Sequence, residues 1–382
     1  MLTVGTQIGA PRVLERLLTL PEVAEATRVS IQTLRRAVKS GELPCVRAGK
    51  RGQIRIAQEG VDAFLKGRQT PTPVATVEEP AAPTRAKKAR LRERAGQHPG
   101  GASYRIVTAD VREGLRALDA KSVNCVVTSP PYFWQRDYEV EGQIGHEATI
   151  EAYVTALVET FRETYRVLAD DGVLFLNLGD AYYNAKGRPH GHDPKHSARL
   201  MARQKLRAVD GPGLGLPRKS LIGLPWRVAL AMQADGWVLR SPIIWQRPNA
   251  LGEPTAKDRP WRTYEHLFLF SKGPRYRFDR SGLNGAEDVW VIHARPENPY
   301  AHCAPFPVEL VERCLACGCP TGGTVLDPFL GSGTTLVAAA RAGLHGVGVE
   351  LNDAYASLAE RRIRESVSDV ARRPRKAAVA AE

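Results

Sequence analysis

Residues 323–335 read GTVLDPFLGSGTT, and this stretch decides the fold of the larger part of the chain. An apolar strand at Thr324–Pro328 runs into a turn with two glycines, and a helix of small residues follows at Thr334–Ala342. A strand, a glycine turn and a helix N-terminus in this order form a cradle for a nucleoside-containing cofactor at the edge of an α/β sheet. The stretch lacks the Gly-Lys-Ser/Thr ending of a phosphate-binding loop, which excludes a P-loop.

A second apolar strand follows the cradle and ends in an acidic residue. It reads GVGVE at Gly346–Glu350, and its terminal acid lies 23 residues after Asp327. An acid at this edge of the sheet suits the two hydroxyl groups of a ribose. Further apolar runs alternate with helical stretches, so the sequence predicts a mostly parallel α/β sheet from about residue 104 onward.

Another predicted strand, Val123–Thr128, runs directly into Ser-Pro-Pro-Tyr. An exocyclic amine on cytosine or adenine is a poor nucleophile, because its lone pair is delocalised into the ring. The Ser129 hydroxyl and the Pro130 carbonyl can accept its two hydrogens and aim the lone pair at an electrophile. Pro131 stiffens the turn, and the Tyr132 ring can stack on a flipped base. The alternative is an ordinary loop, since Ser-Pro-Pro also occurs there.

Together the two motifs resemble the N4-cytosine/N6-adenine family of amino-group DNA methyltransferases, over approximately residues 104–365. In that family, Asp/Asn/Ser-Pro-Pro-Tyr/Phe is catalytic, and Asp-Pro-Phe-x-Gly-Ser-Gly-Thr lines the S-adenosyl-L-methionine pocket. The catalytic motif comes first here, which is the circularly permuted β-class order. The resemblance implies a Rossmann-like, seven-stranded α/β domain. It also implies these cofactor contacts: Asp110, Phe306, Asp327, Pro328, Phe329, Gly331, Ser332, Gly333, Thr334 and Glu350.

The resemblance also implies the reaction and the target base. The amine attacks the sulfonium methyl group directly and a neutral thioether leaves, so neither a metal nor an enzyme nucleophile is needed. Ser129 in the first motif position favours cytosine N4, because relatives with aspartate there usually methylate adenine N6. Three alternatives stay open: adenine N6 methylation, methylation of RNA or a protein glutamine, and a DNA-binding regulator that keeps the fold to sense the cofactor.

Residues 17–66 form a separate small module. Thr19 and Ser30 are predicted N-caps of two helices, and two short strands then enclose a basic glycine turn. This order resembles the winged helix-turn-helix of excisionase-like and MerR-type DNA-binding proteins, while a protein-interaction domain on the same scaffold is the alternative. The resemblance implies major-groove contacts from Gln32, Thr33, Arg35 and Arg36, and phosphate contacts from Lys50, Arg51 and Arg55.

Charge and composition agree with a nucleic-acid enzyme. The 382 residues carry a net charge of +13, which predicts a polyanionic partner, here double-stranded DNA. Apolar runs of about 20 residues and a secretory leader are both lacking, so no membrane is expected, and six clustered cysteines favour a reducing cytoplasm. A cognate restriction endonuclease is a further expected partner; a monomer and a homodimer both stay open.

The remaining segments complete the predicted organisation. Residues 67–102, rich in proline and then in basic residues, predict a flexible linker; residues 103–365 form the methyltransferase domain and 366–382 a disordered tail. No metal site is expected: the clustered cysteines at 314–319 fit a packed helix better than zinc, and the histidines within 184–219 fit a loop that closes on DNA. Residues 253–264 are either part of the substrate cleft or a surface loop.

Overall fold

The computed structural model divides the chain into two compact units, Met1–Lys87 and Lys88–Glu382. No helix among the described residues has the length and hydropathy needed to cross a bilayer. The structure describes residues 17–27, 34–35, 37–38, 41–48, 53–68, 91–98, 101–136, 138, 140, 142–184, 208–250, 253, 256–294 and 306–372.

The small unit contains helix α1 (Leu20–Thr27), strands β1 (Val46–Ala48) and β2 (Gln53–Arg55), and helix α2 (Gln58–Arg68). The predicted cap of α1 is confirmed, because the Glu22 backbone N–H donates to Thr19 Oγ1 and the Thr19 backbone N–H donates to the Glu22 carboxylate at 2.8 Å. Strands β1 and β2 form an antiparallel pair. A small apolar core holds the unit together: Leu20, Val23, Leu34, Ala37, Leu43, Ile56, Val61 and Phe64.

The described part of the large unit is built on one sheet of nine strands, with helices between them. The strands are β3 (Arg92–Gln97), β4 (Ser103–Thr108), β5 (Val123–Thr128), β6 (Leu168–Leu178), β7 (Val238–Gln246), β8 (Tyr264–Ser271), β9 (Val289–Val291), β10 (Thr324–Asp327) and β11 (His345–Glu350). The helices are α3 (Val111–Arg116), α4 (Ile150–Val167), α5 (Leu224–Ala234), α6 (Val308–Gly318), α7 (Thr334–Arg341) and α8 (Asp353–Arg372).

The strand order is β3-β4-β11-β10-β5-β6-β8-β7-β9. Five neighbours, from β4 to β6, are parallel, and β8 runs antiparallel to both β6 and β7. Because parallel strands end at the same edge, the turns after β4, β11, β10, β5 and β6 meet there. The predicted mostly parallel α/β architecture is confirmed.

Helices cover both faces of this sheet. On one face, β5 and β6 bury Val126, Leu174 and Leu176 against α4 and α5. On the other face, Cys125 and Phe175 pack in a second apolar cluster with α6 and α7. Strands buried on both faces read as continuous apolar runs, which is why β5 and β6 were recognisable in the sequence.

Two predicted boundaries need correction. Residues 92–97 lie in the predicted linker, yet β3 pairs antiparallel with β4 along its whole length, and Arg94 bonds Asp353 at 2.6 Å. Its charged sequence RERAGQ resembles a linker because an edge strand exposes much of its surface to water. Helix α8 runs to Arg372, so the predicted tail from residue 366 begins too early. The sheet also has two more strands than the predicted seven, the edge strands β3 and β9.

Candidate active site

The carboxyl edge of the parallel strands brings the two sequence motifs together. Thr128, the last residue of β5, donates from Oγ1 to Asp327 Oδ1 at the end of β10, at 2.7 Å. Thr335 Oγ1, on α7, donates to the other carboxylate oxygen at 2.7 Å, and the Phe329 backbone N–H donates to Oδ1 at 3.0 Å. Asp327 is 1% exposed, and this burial raises its pKa to about 6. Its side chain therefore ties the end of β5, which leads into the Ser129 motif, to the glycine loop at residues 328–333.

Two further side chains of the cofactor motif are also turned into the protein. Arg362, on α8, donates from Nη1 to the Ser332 carbonyl and to Ser332 Oγ, each at 2.6 Å, and to Thr334 Oγ1 at 3.3 Å. Ser332 and Thr334 are both buried. These hydroxyls fix the loop to α8, so any cofactor contact from these two residues is expected to come from the backbone.

The glycines of the loop are required by its shape. Gly331 and Gly333 have φ values of 53° and 84°, in the left-handed region that favours glycine. A Cβ added at Gly333 would lie 2.7 Å from the Ala359 Cβ, because α8 packs directly against the start of α7. The loop is thereby held close to the sheet edge.

Glu350 ends β11 beside this loop. Its Oε2 accepts from the Gly331 backbone N–H at 2.7 Å, and its Oε1 accepts from the Asn352 backbone N–H at 2.8 Å. Burial raises the pKa of this carboxyl to about 7. Two backbone donors therefore fix the orientation of the carboxylate that the sequence assigns to ribose.

Asp110 follows β4, the neighbour of β11. The Ala109 backbone N–H donates to the Glu350 carbonyl at 3.1 Å, which brings the two strand ends together. Asp110 caps α3 and accepts from the Arg112 backbone and guanidinium at 2.9–3.0 Å. Burial alone would raise its pKa, but the hydrogen bonds from Arg112 lower it below the usual range. This side chain is thus an anion with a defined orientation at the same edge.

The catalytic motif lies at the neighbouring strand end. Ser129 Oγ is 3.1 Å from the Tyr132 hydroxyl, which is also 3.0 Å from Asn177 Oδ1 and 2.8 Å from Glu265 Oε2. Arg247 Nη1 donates to the other oxygen of Glu265 at 2.9 Å. Strands β5, β6, β7 and β8 thus each contribute to one hydrogen-bonded group near Ser129.

The backbone around the motif is held by close packing. Pro130 is buried, and the Pro131 carbonyl accepts from the Tyr153 hydroxyl at 3.0 Å. A Cβ at Gly179 would lie 2.5 Å from the Tyr132 ring, so the absence of a side chain there admits the ring. The motif consequently presents its serine from a fixed turn.

Sequence reasoning missed Glu265 and Arg247 as parts of this group. Glu265 lies on β8, 133 residues after Tyr132 in the chain, and only the antiparallel pairing of β8 with β6 and β7 brings it to the site. The available signal was one charged residue at the end of each apolar strand, Arg247 directly after β7 and Glu265 second in β8.

The loop containing residues 256–263 lies beside the end of β6. Arg259 stacks on the Tyr182 ring, with its Cζ 3.8 Å from the centroid, and Arg262 donates to the Asp180 carbonyl. Glu253 bonds both arginines. These contacts place the loop next to the end of β6, and a role of this loop in a substrate cleft stays a prediction.

Of the seven residues of the small unit that are predicted to contact DNA, the structure describes two. Arg35 is exposed, and Arg55 is half-buried with Nη1 donating to the Ile54 carbonyl at 3.1 Å. Five others lie outside the described residues: Gln32, Thr33, Arg36, Lys50 and Arg51.

The described cysteines of the 314–319 cluster pack in the apolar interior, as a packed helix requires. Cys125, Cys314, Cys317 and Cys319 are buried in the apolar cluster, and burial raises the pKa of the Cys317 thiol to about 11. No cluster of potential metal ligands occurs among the described residues; Cys303 and the histidines of the insertion lie outside them.

S-adenosylmethionine fits the chemistry of this edge. The carboxylates of Asp110 and Glu350 lie at neighbouring strand ends. The half-buried Phe306 comes just before α6 in the chain, and the half-buried Phe329 comes just after β10. Carboxylates suit ribose hydroxyls and an ammonium group, and aromatic rings suit an adenine. The donor set and the glycine loop are therefore appropriate for a positively charged nucleoside cofactor.

Comparison with known proteins identifies the family of the chain. The family profile of the DNA methylases, the N6/N4 methyltransferases, matches residues 123–361, and that of a helix-turn-helix domain matches residues 17–69. The chain is 42% identical to the type II methyltransferase M.SmaI of Serratia marcescens, over 68% of this chain and 91% of that relative. It is 43% identical to M.XycI of Xanthomonas campestris pv. cyanopsidis, over 70% and 90%.

A solved structure shares the fold. The PvuII DNA methyltransferase (cytosine-N4-specific) superimposes with a TM-score of 0.53 and 20% identity, over 72% of this chain and 95% of that one. The family match covers β5 with the Ser129 motif, the glycine loop at residues 328–333, and Glu350. This chain belongs to the N6/N4 family of S-adenosylmethionine-dependent DNA methyltransferases and carries a helix-turn-helix domain ahead of the catalytic one.

Proposed function

We propose that this enzyme methylates the exocyclic N4 amine of a flipped cytosine at a specific DNA sequence. The observation that carries the proposal is Ser129 at the first position of the catalytic motif, at hydrogen-bonding distance from Tyr132. A hydroxyl here accepts from an amine without placing a negative charge against the base. Adenine N6 is the alternative target, and in this family aspartate is the residue that usually accompanies it.

The catalytic residues act by position. The Ser129 hydroxyl and the Pro130 carbonyl accept the two amine hydrogens, which draws the nitrogen towards tetrahedral geometry and directs its lone pair. The Tyr132 ring, held against Gly179, stacks on the base. Most of the rate enhancement is expected from this positioning and from exclusion of water.

The cofactor is assigned to the edge formed by β4, β11 and β10. Glu350 binds the ribose hydroxyls, Asp110 binds a donor of the cofactor, and the backbone of the Gly331–Gly333 turn leaves room for it. When bound, S-adenosylmethionine supplies an electrophilic methyl group on a sulfonium. The short link from Thr128 to Asp327 keeps the two halves of the site in register.

The small unit is assigned to DNA binding. Its helix-turn-helix match and the overall charge of +13 support contacts to the duplex in addition to those of the catalytic domain. We expect the enzyme to act in the cytoplasm with a cognate restriction endonuclease as a genetic partner.

The target base is tested by product analysis. Purified enzyme is incubated with deuterated S-adenosylmethionine and plasmid DNA, RNA or protein, and the digested products are separated by mass spectrometry. Deuterated N4-methylcytosine in DNA is the expected product, and Ser129→Ala serves as the inactive control. N6-methyladenine would contradict the assignment of the base, and label confined to RNA or protein would contradict the assignment of the substrate.

A further inference from the structure

The hydroxyl group of Tyr132 lies between two kinds of neighbour. Ser129 Oγ, 3.1 Å away, is a hydroxyl that can donate or accept. Glu265 Oε2 and Asn177 Oδ1, at 2.8 and 3.0 Å, can only accept. The single phenolic proton must therefore serve the acceptors, and the phenolic oxygen is available to accept from Ser129.

The two acceptors are held in their roles by other contacts. Asn177 Nδ2 donates to the His266 carbonyl at 3.1 Å, which turns the amide oxygen towards Tyr132. Arg247 Nη1 donates to Glu265 Oε1 at 2.9 Å, so the guanidinium occupies this oxygen and Oε2 is the one that faces Tyr132. In an ion pair with arginine, the carboxylate oxygens only accept hydrogen bonds. Tyr132 is therefore the donor in its hydrogen bonds with Asn177 and Glu265.

We propose that Glu265 is a positioning residue that makes Ser129 Oγ a hydrogen-bond acceptor for the target amine. Its carboxylate accepts a hydrogen bond from the Tyr132 hydroxyl, the phenolic oxygen accepts one from the Ser129 hydroxyl, and the lone pairs of Ser129 Oγ face the base. Without this series of hydrogen bonds, the Ser129 hydroxyl proton can rotate towards the target amine and compete with the hydrogens of the amine for the serine oxygen. The inference rests on the proposed function, in which Ser129 contacts the amine.

The environment of Tyr132 favours the same direction. Burial, followed by the nearby Glu265 carboxylate, raises the pKa of the Tyr132 hydroxyl well above its usual range. The phenol therefore keeps its proton throughout the working pH range and remains a donor to Glu265. The groups that face the phenolic oxygen come from three elements: Ser129 after β5, Asn177 on β6 and Glu265 on β8.

Glu265→Gln is the main test, because it conserves shape and the bond to Arg247 while replacing the acceptor that faces Tyr132 with an amide N–H. The amide then donates to the phenolic oxygen and displaces the serine donor. We expect kcat to fall about tenfold to a hundredfold, less than the loss of a direct contact costs. The Kd for S-adenosylmethionine and the KM for DNA should change less than about twofold, since the proposal has this carboxylate act through Tyr132 and not by direct contact with cofactor or duplex.

Tyr132→Phe gives the decisive comparison, since it keeps the ring and removes the hydroxyl through which Glu265 acts. In a double-mutant cycle, Glu265→Gln should reduce kcat no further in the Tyr132→Phe background. The matched control is Glu163→Gln, which changes the charge of another arginine-paired glutamate, bonded to Arg166 at 2.8 Å on α4, and should leave kcat unchanged.

Independent losses that multiply in the double variant would overturn the proposal, as would wild-type kcat in Glu265→Gln. Glu265→Asp guards against misfolding of the first variant: it keeps the charge beside Arg247 but is one methylene too short to reach Tyr132. Loss of kcat in this variant supports the proposal, and full activity contradicts it. Failure of the proposed function is separately visible, because wild-type enzyme would then yield no N4-methylcytosine in the same assay.

Discussion

The cofactor half and the base half of the active site use their motif residues in opposite ways. In the cofactor half, the side chains of Asp327, Ser332 and Thr334 are buried and hydrogen-bonded within the protein. In the base half, Ser129 and Tyr132 are only partly buried, and their two hydroxyls are hydrogen-bonded to each other at the sheet edge. The comparison teaches that the side chains of one motif mainly hold its own loop in shape, whereas the other leaves two hydroxyls partly exposed, as the roles proposed for the two motifs require.

The base half should be the more sensitive to a single hydroxyl. Ser129→Ala removes one acceptor for the amine, and we expect kcat to fall about 10²- to 10³-fold, as for loss of one preorganised catalytic hydrogen bond. Cofactor affinity, measured by calorimetry, should not change. Ser122→Ala is the control, because its exposed hydroxyl donates to the Asp119 carbonyl at the opposite end of β5 from Ser129. Normal turnover in Ser129→Ala would remove the contrast between the two halves.

The cofactor half should instead respond through stability. Asp327→Ala leaves the hydroxyls of Thr128 and Thr335 and the Phe329 N–H without their buried acceptor, and should lower the free energy of unfolding by about 2–4 kcal/mol. Urea denaturation measures this loss. Asp327→Asn should lose much less, since Thr335 can accept from the amide and still donate to the Val127 carbonyl. Equal losses in both variants would contradict the assigned hydrogen-bond pattern.

The same residue makes a pH-dependent contribution. The pKa of Asp327 is raised to about 6, so the folded chain binds this proton more tightly than the unfolded chain does. The associated stability is present below about pH 4 and is lost as pH rises through about 6, a decline of about 2–3 kcal/mol. Denaturation across this range should show a steeper decline in the wild type than in Asp327→Asn, which keeps only the contribution of other groups such as Glu350. Parallel curves would contradict the assignment.

Glu350 is expected to face ligand despite its burial. Glu350→Ala should weaken S-adenosylmethionine binding by about 1–3 kcal/mol, measured by calorimetry. Because its pKa is raised to about 7, the carboxylate forms as pH rises through 7, and wild-type affinity should improve between about pH 6 and 8. Glu350→Gln should remove this dependence, while the exposed Glu151→Gln should keep it. A flat wild-type profile would count against the ribose assignment.

Removal of the small unit should have the least effect on chemistry. A chain that starts at Lys88 keeps β3 and every residue of both motifs, so kcat should stay within about twofold, while DNA affinity falls about tenfold and depends less steeply on salt. Filter binding over a salt series measures both. An unchanged affinity and slope would indicate a protein partner for this unit. A start at Ser103 would delete β3 and its bond to Asp353, and should also destabilise the sheet.

The sequence by itself determined the elements with strong local signals. Apolar runs identified β5, β10 and β11, the Thr19 cap identified α1, the small residues after the glycine turn identified α7, and the two motifs identified the family. These features depend on neighbours in the chain, where residue type and spacing are visible. The charged edge strand β3 lacked such a signal, because its stability comes from pairing with β4 rather than from its own apolar pattern.

Only the tertiary structure decided which motif side chains face the site. Asp327 and Ser332 belong to a motif that the sequence assigns to the cofactor, yet their partners are Thr128 and Arg362, which lie 199 and 30 residues away in the chain. Glu265 joins Tyr132 across 133 residues for the same reason. A hydrogen bond between distant residues depends on strand order and register, and these are set by packing of the whole sheet rather than by any local pattern.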